Sequence, residues 1–481
     1  LLVESTVLGV SGTVLGLLAA RWISSGLLAI NPIELPEMFR SSLDWRVLAF
    51  TAVMTIAAIC EFGLLPAFYG SRTDLVTVLR GTRATQSPSE RRTRAGLVVV
   101  QVSLAVVLLV TSALTIRSLM RLWQVYPGFR PDGLVAASVS VPPARYPDDA
   151  ALRTFQQRLL RRSAQIPGVG GVSAVTHLPF VFDRNSSDYI VVGQPVPKST
   201  DYLIANFNRV SPGYVESMRI PILEGRTFAE SDSGSAPLAV MVSQALAQRH
   251  WPKGGAVGHQ LLFDEGEGER PKTIVGVVGD VRADGFEGGV EPTIYQPLSQ
   301  APAPAFWVVM TTGRETEALV PEIRAALREV DPALPLGLAQ SVTGIMGATV
   351  RRPQFLAVIM TAFGAAALVI AAIGLYGVLS FDVVQQRREL GVRVAFGATA
   401  ASIRALVFGR GLRLVGLGLA AGVVMSIVAS RSISGLLFQV PETDASAFLL
   451  AGGTLALTAA VAIWLPARRA SRADPIEILR T

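Results

Sequence analysis

A short, charged segment between two long apolar runs carries the residue types best suited to binding a protein partner. Residues 385–398 read Gln-Gln-Arg-Arg-Glu-Leu-Gly-Val-Arg-Val-Ala-Phe-Gly-Ala. Folded as a helix, they would combine the apolar Leu390 and Val394 with charged side chains, and Gly397 would end the helix. Such a helix could lie along a membrane surface and offer apolar and ionic contacts to a partner. A solvated basic loop is the alternative that this pattern leaves open.

Residues that could support catalysis or metal binding are not arranged for it along the sequence. His177, His250 and His259 are far apart and lack cysteines or paired carboxylates at the spacing of zinc ligands. Gly276 and Gly279 follow a strand-like run, but none of the patterns G-x-G-x-x-G, G-x-x-x-x-G-K-[ST] or G-x-S-x-G occurs. We therefore expect a protein that is not itself an enzyme and that has no ATP, cofactor or metal site.

The composition indicates a membrane protein. Half of the 481 residues are hydrophobic and 16% are charged, whereas about 25% are charged in typical soluble proteins. The alternative, buried helices of a large soluble protein, would have to hide every apolar segment despite weak amphipathic periodicity. Each segment approaches the ~20 residues needed to cross a bilayer. The six predicted spans cover residues 5–28, 47–65, 95–116, 353–381, 414–430 and 445–467.

The net charge of +7 is concentrated in the segments after the second, fourth and sixth spans, which favours a topological role over nucleic-acid binding. By the positive-inside rule these segments are cytoplasmic, and the long segment between spans three and four is then external. The sole cysteine, Cys60, falls in a predicted span, so no disulfide within the chain is expected. The clustered arginines are Arg72, Arg80, Arg83, Arg91, Arg92 and Arg94; Arg387, Arg388, Arg393 and Arg404; and Arg468, Arg469, Arg472 and Arg480.

An internal repeat indicates that a membrane module was duplicated. The Leu-Pro-Ala sequence at residues 65–67 and the basic stretch after it recur at 465–467. The sequence Ser-Gly-Leu-Leu likewise occurs at residues 25–28 and 434–437, near the outer ends of spans one and five. Because residue 1 is leucine and no signal peptide precedes the first span, we expect the sequence to be N-terminally incomplete.

These observations predict an α-helical transmembrane protein with six spans and a mixed α/β extracytoplasmic domain inserted between spans three and four. In that domain, β-branched and aromatic runs predict strands, and apolar residues at helical spacing predict helices. The predicted strands cover 134–141, 189–192, 238–242, 273–278 and 306–310, and the predicted helices cover 148–165 and 315–330. The predicted domains are residues 1–70 (the last two transmembrane helices of a first module), 71–94 (a cytoplasmic linker), 95–120 (a transmembrane helix), 121–352 (the extracytoplasmic domain), 353–382 (a transmembrane helix), 383–404 (a cytoplasmic coupling segment), 405–467 (two transmembrane helices) and 468–481 (a cytoplasmic tail).

Several short motifs occur together in order along the whole chain. They are Pro127-Gly128-Phe129, Ser211-Pro212-Gly213-Tyr214, Val-Gly-Val-Val-Gly-Asp-Val at 275–281, Tyr376-Gly377-Val378-Leu379, Arg388-Glu389-Leu390-Gly391-Val392-Arg393 with Phe396-Gly397-Ala398, and Leu465-Pro466-Ala467-Arg468-Arg469-Ala470. Jointly they resemble the ABC transporter permeases of the macrolide-exporter and cell-division (MacB/FtsX-like) family, especially its duplicated members. The departures are Glu61, where such proteins have a small or apolar residue, and Phe68 and Tyr69, which stand where the second copy has a basic pair.

The resemblance implies a permease subunit of the bacterial inner membrane that converts ATP hydrolysis by a separate cytoplasmic ABC ATPase into motion of the extracytoplasmic domain. It implies export of drugs, peptides or lipoproteins, with an outer or periplasmic adaptor protein as a further candidate partner. The rival hypothesis is a non-transporting transmembrane signalling protein that regulates a cell-wall enzyme. The residues that the resemblance assigns to ATPase coupling are Arg387, Arg388, Glu389, Leu390, Gly391, Arg393 and Gly397.

Overall fold

The structure, a computed structural model, divides into two compact units. One unit combines Leu1–Leu119 with Arg351–Thr481, and the other is Met120–Val350. The limits of the second unit lie close to residues 121–352, and the extracytoplasmic location of that segment stays a prediction. The residues described are 2–30, 45–60, 88–181, 183, 185–195, 203–234, 236–263, 270–386, 389, 392, 393, 396, 398–432, 435, 438–441 and 443–471.

Helices and strands alternate in the middle of the chain and long helices flank them. The helices are α1 (Leu2–Ile30), α2 (Trp45–Ile59), α3 (Pro88–Gln124), α4 (Asp149–Ser163), α5 (Tyr214–Ser217), α6 (Gln244–His250), α7 (Thr316–Val330), α8 (Val342–Gln385), α9 (Ala400–Ser432) and α10 (Ala445–Ser471). The strands are β1 (Leu134–Ser140), β2 (Val169–Val175), β3 (Ser186–Val191), β4 (Leu203–Val210), β5 (Ile222–Gly225), β6 (Ala239–Ser243), β7 (Gln260–Leu262), β8 (Lys272–Val278), β9 (Thr293–Pro297), β10 (Ala305–Thr312) and β11 (Ala339–Ser341).

Within the described residues, four helices are long and apolar enough to cross a membrane: α3, α8, α9 and α10. They coincide with four of the six predicted spans. The first two predicted spans coincide with α1 and α2, in which the shorter apolar helices Thr6–Trp22 and Trp45–Ala57 are found. Residues 61–65, at the end of the second predicted span, lie outside the described residues. The count of six spans therefore stays a prediction.

Three of these helices begin earlier than the sequence predicted. The predicted fourth span starts at Pro353, but α8 starts at Val342 and holds Pro353 inside it. Likewise α3 begins at Pro88, within the predicted linker, and α9 begins at Ala400 rather than at residue 414. Arginines end an apolar run without ending a helix, because arginine is itself a good helix former. An apolar run thus locates the part of a helix that is suited to contact with lipid, but it underestimates the length of the whole helix.

Part of the α/β unit is a split β-α-β sheet. Its four strands run in the order β11, β1, β10, β2, and all neighbours are antiparallel. The helices α4 and α7 each connect two strands that have a third strand between them, which is the split β-α-β arrangement. Alternate residues of β1 point to opposite faces. Val135 and Ala137 therefore pack with Phe155 of α4, while Leu134 and Ala136 belong to a second core on the other face.

The chain between β2 and β10 forms a ring of strands. In this ring β4 pairs with β3, β3 with β7, β7 with β8, β8 with β6, and β6 with β9. The parallel pairing of β9 with β4, over Asn206–Val210 and Thr293–Pro297, closes the ring. Closure removes free strand edges, and its interior is filled by side chains such as Phe207, Leu261 and Ile274. One residue pair, Val175 with Val210, joins this ring to the split sheet.

The helices α3, α8, α9 and α10 share one apolar core in the helical unit. Two glycines of α9 permit close approach to α3. An added Cβ would lie 2.6 Å from Val102 Cβ at Gly418 and 2.6 Å from Val106 Cβ at Gly422. Ser103 Oγ also lies within 3.0 Å of the Gly418 carbonyl oxygen, to which it can donate. Small residues four positions apart commonly allow membrane helices to pack closely. This G-x-x-x-G spacing is visible in the sequence.

Candidate functional site

The predicted coupling segment, residues 383–404, extends from the last residues of α8, which ends at Gln385, to the first residues of α9, which starts at Ala400. Thr399 provides the first capping interactions of α9. Its carbonyl oxygen accepts hydrogen bonds from the amides of Ser402 and Ile403, at 3.0 and 3.2 Å. Its hydroxyl oxygen accepts a bond from the Ser402 amide at 3.3 Å. Threonine suits this position because its side-chain oxygen satisfies an amide that the first helical turn leaves free.

A small apolar cluster holds the helix ends beside the segment. Ile403 and Val407 of α9 are buried against Ala467 and Ala470 of α10, and Val383 of α8 packs on the same cluster. The cluster therefore contains residues from the end of α8, the start of α9 and the end of α10. Two of the three helices adjoin the segment directly, so their packing limits the positions that it can take.

Glu389 and Arg393 form an ion pair at the protein surface. Arg393 Nη2 donates to Glu389 Oε1 at 2.7 Å, and each side chain is about half exposed, at 51% and 53%. Both residues have helical backbone. Nearby, Phe396 is 88% exposed and Val392 is 41% exposed. The described part of the segment thus presents charged and apolar side chains together.

The remaining residues assigned to coupling are not among those described. They are Arg387, Arg388, Leu390, Gly391 and Gly397. Two backbone hydrogen bonds join described residues of the segment. The Phe396 amide donates to the Val392 carbonyl at 3.0 Å, and the Ala398 amide donates to the Arg393 carbonyl at 2.9 Å. The second bond spans five residues, the spacing of a Schellman-type helix end.

Arginines near these helix ends have aromatic or amide partners. Arg94 lies over the Phe381 ring with its guanidinium carbon 4.2 Å from the ring centroid. Arg469 donates to the Tyr376 hydroxyl at 2.6 Å, and Arg410 donates to the Gln386 side chain. Charge clustering in the sequence marked this side of the helices as basic, but it gave no indication of these partners. These partners determine which way the arginine side chains point, whereas the positive-inside rule considers only their charge.

His250 and His259 pack against aromatic side chains. His250 Nε2 lies 2.8 Å from the Tyr189 hydroxyl, and burial and the nearby Arg249 lower the pKa of His250. The Trp251 ring contacts both His250 and His259, with ring centroids 5.5 and 4.8 Å apart. In the part of the chain that the structure describes, no group of three His, Cys, Asp or Glu residues is placed to hold a metal ion.

Two family profiles match the chain. The profile of the MacB-like periplasmic core domain matches residues 95–326, and that of the FtsX-like permease C-terminal domain matches residues 361–475. The first covers most of α3 and most of the α/β unit. The second covers the later part of α8, the charged segment, α9 and α10. Both domains therefore occur in this chain, in the order that the motifs indicated.

Curated relatives match at low identity. The probable syringafactin export ATP-binding/permease protein SyfD of Pseudomonas syringae pv. tomato is 25% identical over 289 residues, which are 57% of this chain and 42% of the relative. The macrolide export ATP-binding/permease protein MacB of Hahella chejuensis is 24% identical over 318 residues, or 64% of this chain and 47% of the relative. The chain thus spans less than half the length of these relatives. The crystal structure of the periplasmic region of MacB from Actinobacillus actinomycetemcomitans aligns with 48% of this chain and 97% of its own, with 11% identity and a TM-score of 0.33.

Proposed function

We propose that this chain, which belongs to the MacB/FtsX-like family of ABC transporter permeases, couples ATP hydrolysis by a partner ATPase to motion of its α/β unit. One observation carries the proposal. The helix α8 is continuous from Val342 to Gln385. Its first turns contribute Val342, Ile345 and Met346 to a core of the α/β unit, and its last turn leads directly into the charged segment. A continuous helix is a physical means of transmitting displacement between its two ends.

The ATPase is proposed to be a separate subunit that binds the charged segment. No Walker-type phosphate-binding sequence occurs in the 481 residues, so ATP hydrolysis requires residues from elsewhere. Glu389 and Arg393 supply ionic contacts, and Val392 and Phe396 supply apolar ones. Interfaces of this kind combine an apolar centre with charged groups that fix orientation. On this proposal the chain is not itself an enzyme.

The proposed location is the bacterial inner membrane, with the α/β unit in the periplasm. Four helices have the length and composition to cross a bilayer, and the matched profile for residues 95–326 describes a periplasmic domain. Many large apolar side chains on these helices are exposed, including Leu97, Ile373, Leu417 and Leu457. Contiguous exposed apolar surface on long helices is suited to contact with lipid or with further membrane helices. The bilayer is therefore a proposed partner.

The proposed activity is export of a drug-like, peptide or lipoprotein cargo that is already outside the inner membrane. The relatives named above are described as exporters of syringafactin and of macrolides. Their names support an export role for this chain without specifying its cargo. An outer or periplasmic adaptor protein that binds the α/β unit is part of the same proposal.

The test is recovery of an ATPase with the tagged chain from its native membrane. We expect ATP-hydrolysing activity to co-purify with the wild type and to be lost when Glu389→Lys is combined with Arg388→Glu. The matched control combines Glu317→Lys with Arg324→Glu, two exposed residues of α7 in the α/β unit. This control should retain the ATPase. Failure of the wild type to recover any ATPase would contradict the proposal and would favour the signalling alternative, which predicts instead that a cell-wall enzyme binds the α/β unit.

A further inference from the structure

A cleft of about 470 Å³ lies inside the α/β unit, where the ring of strands meets the split sheet. One wall consists of α4 together with Val172 of β2. The other wall is formed by the loops that contain Ser211, Glu230 and Leu298. A volume of about 300–1,000 Å³ is typical of sites for small molecules, and such sites often occur where two substructures meet.

The wall formed by α4 has two parallel stripes of different character. Arg153, Gln157 and Arg161 are spaced by four residues and form a polar, cationic stripe. Beside them, Gln156, Leu160 and Ala164 have the same spacing and form a more apolar stripe. Residues four apart lie on one helix face, and eight residues cover about 12 Å of helix. The two stripes therefore offer charge and apolar surface along the same length.

The two arginines differ in how firmly they are held. Arg153 Nε donates to the Ser299 carbonyl oxygen at 2.5 Å, which fixes its guanidinium in the cleft. Arg161 is exposed, and among the described residues its side chain has no hydrogen-bond or ion-pair partner. Glu230, on the opposite wall, is the one acid among the lining residues. The lining therefore carries a net positive charge, with one cation fixed and one available.

Apolar side chains complete the site. Leu298 is 3% exposed and belongs to the core that α4 covers. Val172 and Leu160 are partly buried against the same core. These side chains hold a fixed apolar surface next to the arginines. A purely ionic ligand would leave this surface in water, and a purely apolar ligand would leave the arginines without an anion.

We propose that this cleft binds a small amphipathic anion, with the anionic group on Arg153 and Arg161 and the apolar part along Leu160, Val172 and Leu298. Charge-assisted hydrogen bonds from guanidinium groups would orient the anionic end. The cavity volume favours a small molecule over a segment of a partner protein. The inference that an amphipathic anion binds here depends only on the cleft. That the ligand represents the exported cargo rests on the function proposed above.

The test is photoaffinity labelling of the full chain in detergent with a diazirine derivative of decanoate, used below its micelle concentration. Labelled peptides are identified by mass spectrometry. We expect labelling within residues 153–164 and near Leu298, and a reduction of about tenfold in Arg161→Glu, the loss of one charge-assisted contact. Arg161→Lys should retain part of the labelling. Because the Arg161 side chain is exposed and has no hydrogen-bond or ion-pair partner among the described residues, these variants should fold normally.

Matched comparisons decide the result. Arg158→Glu changes an exposed arginine of the same helix that does not line the cleft, and should leave labelling unchanged. The neutral methylamide of the same probe should label the cleft about tenfold less. The proposal is overturned if the amide labels equally, if Arg158→Glu reduces labelling as much as Arg161→Glu, or if label appears only outside the cleft. Competition by an acidic peptide but not by decanoate would also overturn it and assign the cleft to a protein partner. None of these readouts depends on an ATPase.

Discussion

Exchanging the charges of Glu389 and Arg393 separates partner binding from local helix stability. The double variant Glu389→Arg with Arg393→Glu keeps an ion pair four residues apart but reverses the charge at each position. The single variant Glu389→Gln removes the pair. If the two charges act only on each other, the exchange should behave as wild type and the single variant should be slightly impaired.

The structure sets the magnitudes that distinguish these outcomes. The pair is 2.7 Å long and half exposed, and exposed pairs at this spacing contribute only about 0.3–0.5 kcal/mol. A charged contact buried in an interface costs about 2–5 kcal/mol when disrupted, and the lower limit corresponds to roughly thirtyfold in affinity. The changes in affinity expected from the two explanations therefore differ by more than the error of a binding measurement.

The assay is the ATPase activity recovered per mole of tagged chain, measured with the thermal stability of each preparation. We expect the exchange variant to unfold at the wild-type temperature yet to recover at most a few per cent of the wild-type ATPase, in line with a roughly thirtyfold loss. We expect Glu389→Gln to lose ATPase as well. Wild-type recovery by the exchange variant would refute the reasoning, because the charges would then have no partner outside the segment.

Two further predictions concern stability. Gly422→Ala should lower the thermal unfolding temperature of the purified chain by the equivalent of about 1–3 kcal/mol, because the new methyl group would meet Val106 at 2.6 Å. Gly416→Ala, on the same helix with nothing within 4 Å, is the control and should be neutral or stabilising; equal losses in both would show that close helix packing is not the cause. Asp331→Asn should destabilise the α/β unit by about 1–3 kcal/mol, because buried Asp331 accepts bonds from Arg145 at 2.5 and 2.7 Å. The Arg145 guanidinium chiefly lowers the pKa of Asp331, so this stabilisation is complete above the unfolded-state pKa of about 3.9 and is lost as the pH falls through the lower folded-state value. Denaturant unfolding between pH 7 and pH 3 should show part of that loss in wild type and a flatter profile in Asp331→Asn; parallel profiles would contradict it.

The elements with a strong local pattern were predictable from the sequence. The predicted helix over 148–165 is observed as Asp149–Ser163, and that over 315–330 as Thr316–Val330. Their apolar residues recur at helical spacing, and both helices pack on the same face of the split sheet. The strands at Lys272–Val278 and Ala305–Thr312 were found for a similar reason, since their β-branched and aromatic content is high.

Strands with polar or mixed sequences were missed. Leu203–Val210 contains two asparagines and an arginine, and Thr293–Pro297 is short and ends in proline. These two strands nevertheless pair with each other and close the ring. Their strand conformation depends on that pairing more than on their own propensity, so no local window in the sequence could indicate it.

The sequence by itself predicted the membrane class, the order of the domains and the charged segment, because hydropathy, periodicity and charge are properties of short stretches of chain. Only the tertiary structure decided which residues lie together. The cleft combines α4 with loops at Ser211, Glu230 and Leu298, and the cluster beside the charged segment joins Ile403 to Ala467. These contacts connect residues far apart in the chain, and packing and strand pairing select them through the shape and hydrogen bonding of whole elements.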